Sequence, residues 1–124
     1  MVRKTLPIIS FGYSLLLLYV CLINVNEVVE IPSYDDKLTH LIAYFLFTSV
    51  WSLFFYGFQK KTKKQALTRS FIFAIVFGII IEVLQKVLTE HRQADYKDVI
   101  ANVIGALIAV VIINLITYWK VKNN

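Results

Sequence analysis

Charge is scarce in this chain: Asp, Glu, Lys and Arg make up 17% of its 124 residues, while 58% are hydrophobic. Soluble globular domains carry roughly 25% charged and 45–50% apolar residues, so an ordinary water-soluble domain is excluded. A mean hydropathy of +0.67 agrees. Cysteine is nearly absent. Cys21 stands alone inside an apolar stretch, so it can form neither an internal disulfide nor a cysteine-rich metal site, and it reads as a small buried thiol. There are two histidines, one of them within an apolar run, too few for a strong metal triad. No metal is expected, and nothing calls for a cofactor. Neither G-x-S-x-G nor H-E-x-x-H occurs, and we find no internal repeat or low-complexity tract.

What the chain has instead is four long apolar runs, at about Leu6–Ile23, Leu38–Phe58, Phe71–Leu88 and Val99–Trp119. A spanning helix needs about 20 apolar residues, so four of them take up most of the chain and leave only loops and ends. The first run follows Arg3 and Lys4 and could be read as a signal peptide, but it is long and no A-x-A pattern follows it. It is therefore expected to be retained as a helix. The second is rich in aromatics, and its Trp51–Phe58 end is expected to form an interfacial belt, as are Tyr118 and Trp119 at the end of the fourth. Hydrocarbon has no water to bond an open strand edge, so all four runs are read as helices. Soluble core helices would need polar faces that these runs lack. The expected fold is an all-α, integral membrane four-helix bundle forming a single domain over residues 1–124.

The charges segregate by side. Arg3 and Lys4, the loop with Lys60, Lys61, Lys63, Lys64 and Arg69, and the tail with Lys120 and Lys122 hold nine basic residues and no acidic one. Lys37, Lys86, Arg92 and Lys97 share the other side with all eight acids: Glu27, Glu30, Asp35, Asp36, Glu82, Glu90, Asp95 and Asp98. The positive-inside rule then places both termini and the Lys-rich loop in the cytoplasm (N-in, C-in). That loop needs no nucleic acid to explain it, because topology and attraction to anionic lipid suffice.

Polar residues inside a bilayer are costly, and translocon scales give about +2.5 to +3.5 kcal/mol for Asp, Lys or Arg at a helix centre. Here they cluster. Asp36, His40 and Tyr44 recur at i, i+4, i+8 on one face of helix two, with Lys37 beside Asp36. Glu82 and Gln85 share a face of helix three, with Gly78 one turn further in. Asp95, Asp98 and Asn102 do the same on helix four. Together with Arg92 from the preceding loop, these residues would form one outward-opening polar pocket. Ala101, Gly105 and Ala109 make a small-xxx-small row for close helix packing, or, as an alternative, a homodimer seam. Each polar residue also has a plainer role: His40 as an interhelical hydrogen bonder, and Asp36, Asp95 and Asp98 as caps favoured by a helix N-terminal dipole. Glu82 is too far from its helix end to be a cap. An intramembrane carboxylate is by default a functional candidate.

The pattern DKxxHxxxY at Asp36–Tyr44, ExxQ at Glu82–Gln85 and RxxDxxDxxxNxxG at Arg92–Gly105 resembles the VanZ-like family of small bacterial membrane proteins. The resemblance implies a multi-helix integral protein of the bacterial cytoplasmic membrane, in a family whose founding member is linked to teicoplanin resistance. It carries the quoted residues over as motif positions, not as catalytic groups. Three functions then compete. The first is a binding or envelope-modulating protein whose pocket holds a lipid headgroup, a cell-wall precursor or a glycopeptide. The second is an intramembrane enzyme acting on a lipid or lipid-linked substrate, with Glu82 or His40 as acid/base and Asp95 or Asp98 orienting a metal or water. The third, an ion-coupled transporter, would want acids near the midplane or broken helices. The acids here lie further outward, and no Pro interrupts runs two to four.

Overall fold

Helix ends in this chain are set by local chemistry as much as by where the apolar runs begin and stop. The computed structural model describes residues 2–22, 33–88 and 96–123, with side chains for 4–21, 38–87 and 97–120. Four helices result: α1 (Val2–Leu22), α2 (Ser33–Leu53), α3 (Lys63–Leu88) and α4 (Tyr96–Asn123). A π-helical turn, Phe54–Phe58, continues α2. It closes through Gln59 N–H to Phe54 O at 3.1 Å and Lys61 N–H to Phe55 O at 2.9 Å, with Lys60 in the left-handed region at φ 57°. That is the usual way a helix ends by returning its last amides to orphan carbonyls.

α3 starts well before the apolar run expected at Phe71, because Thr62 and Gln65 form a capping box. Gln65 N–H donates to Thr62 Oγ1 and Thr62 N–H to Gln65 Oε1, both at 3.2 Å. α4 likewise begins before Val99 and brings Asp98 into its first turn, where the helix dipole favours a negative charge.

α2 and α3 form the middle of the bundle, with α1 packed on them and on the π-helical turn, and α4 packed most extensively along α2. The core is aromatic. Phe47 is fully buried and stacks on Phe77 at 4.7 Å between ring centroids, while Trp51 meets Phe73 edge-on at 4.7 Å. Trp51 is thus a core residue, 3% exposed, donating its indole N–H to Ser14 Oγ at 2.9 Å. This corrects the expected interfacial belt: Trp51 and Phe54 point inward, while Tyr56 and Phe58 remain exposed.

Each helix contains a stretch long and apolar enough to cross a membrane: Lys4–Cys21, Leu38–Phe58, Lys63–Val87 and Lys97–Lys120. Between 22% and 33% of each stretch is buried inside the chain. The remaining surface, including Ile8, Leu15, Val87 and Leu115, is what a helix shows when its solvent is hydrocarbon.

Candidate functional site

The site is built in two layers, one helical turn apart. In the inner layer Tyr44 of α2, Gly78 of α3 and Asn102 of α4 meet. A Cβ placed on Gly78 would lie 2.9 Å from Asn102 Nδ2 and 3.5 Å from Tyr44 Cε1, so the absence of a side chain on α3 is what lets the two polar groups approach. One turn further along the same helices stand His40, Glu82 and Asp98, four residues from Tyr44, Gly78 and Asn102 respectively.

His40 Nε2 lies 3.8 Å from Asp98 Oδ2, within ion-pair reach but beyond a direct hydrogen bond. Glu82 is buried one turn beyond Gly78 on α3. All five polar side chains are buried, from fully enclosed Tyr44 to Asp98 at 7%. The Tyr44 hydroxyl and Asn102 Oδ1 have no hydrogen-bond partner among the described residues. A buried polar group left unsatisfied costs about 1–3 kcal/mol. Among the described residues no three His, Cys, Asp or Glu side chains converge as a metal chelate requires.

Gln85, placed with Glu82 by spacing, has a different neighbour. Its amide donates to Cys21 O at 2.7 Å, tying α3 to the end of α1. Cys21 takes part through its backbone carbonyl. Ala101, Gly105 and Ala109 are buried. α4 approaches α2 so closely at Gly105 that a Cβ there would collide with the Leu41 carbonyl group, and this row is thus used inside the bundle. Asp36 and Lys37 fall in the first turn of α2, with side chains outside the described set, and Arg92 and Asp95 lie outside the described residues.

Sequence reasoning missed a row of hydroxyls. Along α2, His40, Tyr44, Thr48 and Ser52 repeat every four residues and all are buried. Ser52 Oγ and Ser70 Oγ are 2.6 Å apart, and Ser10 and Thr48 hydroxyls lack a hydrogen-bond partner among the described residues. The four-residue spacing that flagged Asp36, His40 and Tyr44 continues through Thr48 and Ser52 and could have revealed them.

Among the described residues, a helical bundle with four helices long and apolar enough to cross a membrane, and a buried polar cluster on three of them, fits a multi-pass membrane protein. The chain belongs to the VanZ/LLP1 family, whose model matches residues 21–117. That match spans all three motif blocks and every residue of both site layers. Among curated proteins and among solved structures, none matches this chain.

Proposed function

We propose that the cluster of His40, Tyr44, Glu82, Asp98 and Asn102 binds the polar head of a cell-envelope component. In this reading the protein sits in the bacterial cytoplasmic membrane with both termini in the cytoplasm, and the site is entered from the outer face. By sequence, Asp36, Lys37, Arg92 and Asp95 are further candidate members of the site. The observation that carries the reading is the pair of enclosed acceptors and donors, Tyr44 OH and Asn102 Oδ1, that no described protein group satisfies. Two carboxylates, an imidazole, a phenol and a carboxamide suit a head rich in hydroxyl and amide groups, such as a lipid-linked wall precursor. Carboxylates accept from hydroxyls and amides with charge-assisted strength, and the surrounding hydrocarbon sharpens every such contact. Protection against a teicoplanin-type glycopeptide would follow if occupancy changed how surface precursors are presented.

Catalysis is the second reading, favoured by the approach of His40 to Asp98, because an imidazole near a carboxylate is a pairing used in acid/base chemistry. Glu82 or His40 would then be the acid/base. One experiment separates the two. Purified protein in nanodiscs is offered lipid-linked wall precursors and phospholipids, with bound and newly formed species followed by mass spectrometry. Binding predicts unaltered precursor retained by the wild type and lost on Glu82→Gln and Asn102→Ala while the fold persists. A new product moves the assignment to catalysis, and equal retention by both variants removes the site. A reporter fused after Lys122 tests the orientation, and a signal outside the cell would reverse it.

A further inference from the structure

At the end of the bundle opposite the polar cluster, where α2 runs into the π-helical turn and α3 begins, a cavity of about 560 Å³ opens between α2, α3 and α4. Its volume lies within the roughly 300–1,000 Å³ of small-molecule sites. Leu53, Tyr56, Leu67 and Ile113 form much of its wall, with Thr117 on α4 and Lys63 at the start of α3. The serine and threonine hydroxyls along the wall are engaged by their own helices or by each other: Ser49 Oγ donates to Phe45 O at 2.8 Å and Thr117 Oγ1 to Ile113 O at 2.9 Å, while Ser52 pairs with Ser70 and Thr48 O. To an occupant the cavity therefore offers mainly apolar walls, the Tyr56 phenol and one cation.

That cation belongs to an uncompensated positive end. Lys60, Lys61, Lys63 and Lys64 fall within five consecutive residues, and the first turn of α3 has no acidic residue. Its capping box uses the neutral Gln65 where a glutamate would serve equally well. The helix N-terminus adds its own partial positive charge, which anions stabilise and lysines do not. An apolar crevice whose only ionic group is cationic, at a helix end that wants an anion, complements an oily chain carrying a phosphate.

We propose that this cavity holds one acyl chain of an anionic phospholipid, with the headgroup phosphate on Lys63 and the neighbouring lysines around it. The site is separate from the outer polar cluster and does not depend on what that cluster binds.

The test is native mass spectrometry of the full chain released from nanodiscs of phosphatidylglycerol or of phosphatidylcholine. One phosphatidylglycerol should survive activation that strips phosphatidylcholine. Lys63→Gln should lower that retention about fivefold, the factor one near-surface lysine contributes, whereas Lys120→Gln, an exposed lysine on α4 that does not line the cavity, should leave it unchanged. Thr117→Phe, which fills the cavity, should abolish retention, and Ile113→Phe gives the same reading if Thr117→Phe does not accumulate. Equal retention of the two lipids, equal losses for both lysine variants, or a cavity-filled variant that still holds phosphatidylglycerol would each overturn the proposal.

Discussion

Tyr13→Phe and Tyr44→Phe delete the same oxygen atom, yet the structure gives them opposite signs. The Tyr13 hydroxyl donates to Ala43 O at 2.7 Å and so pins α1 to α2. Losing such a bond costs about 0.5–1.5 kcal/mol net. The Tyr44 hydroxyl is enclosed with no hydrogen-bond partner among the described residues, while its ring packs on Phe47 with centroids 5.7 Å apart, a contact phenylalanine keeps. An unsatisfied buried group costs about 1–3 kcal/mol, so its removal should leave stability unchanged or raise it by up to that amount. The two variants should therefore differ by about 0.5–4.5 kcal/mol, with Tyr44→Phe the more stable, in reversible unfolding of delipidated protein in mixed micelles, followed by circular dichroism. Binding should run the other way, with Tyr44→Phe losing the envelope component and Tyr13→Phe keeping it. If Tyr44→Phe destabilises the delipidated protein as much as Tyr13→Phe does, the Tyr44 hydroxyl has a protein partner and the argument for an awaiting ligand fails.

Two glycines offer a second contrast. A Cβ on Gly105 would sit 3.0 Å from Leu41 C and 3.2 Å from Leu41 Cα, whereas one on Gly12 meets nothing within 4 Å. Gly105→Ala should thus cost about 1–3 kcal/mol through overpacking, and Gly12→Ala should gain up to about 1 kcal/mol of helix propensity; comparable melting of the two would contradict the close approach of α4 to α2. Gln85→Leu breaks the bond to Cys21 O and should cost about 1–3 kcal/mol, with faster amide exchange concentrated in the last turns of α1. Unchanged exchange there would mean the α1–α3 tie is not maintained in solution.

The number of helices and the polar faces of α2, α3 and α4 were legible in the sequence because each depends only on run length and on spacing along one helix. Rotational phase between helices was not. Trp51 looks interfacial by its place near a run end, but it shares the inward stripe of α2 with Tyr44, Phe47 and Phe54, and burial against Phe73 decides its role. Gln85 shares a face with Glu82 by spacing, and spacing along α3 says nothing of the bond its amide makes to α1. The buried hydroxyls were hidden for another reason. Ser14, Ser49, Ser52 and Thr117 bond the carbonyl four residues back on their own helices, so such residues sit cheaply in apolar runs and say little about which way they face. The early start of α3 was written in Thr62 and Gln65, a polar signal lying outside the apolar run that drew attention to the helix.

Side chains from separate helices meet inside the bundle, and a double-mutant cycle on His40→Ala and Asp98→Ala reads that contact directly across α2 and α4. Residues in contact couple by about 0.5–3 kcal/mol, while distant ones add within about 0.3–0.5 kcal/mol. A coupling above about 0.5 kcal/mol in unfolding free energy is the expected result. Strict additivity would separate the two side chains and dissolve the site.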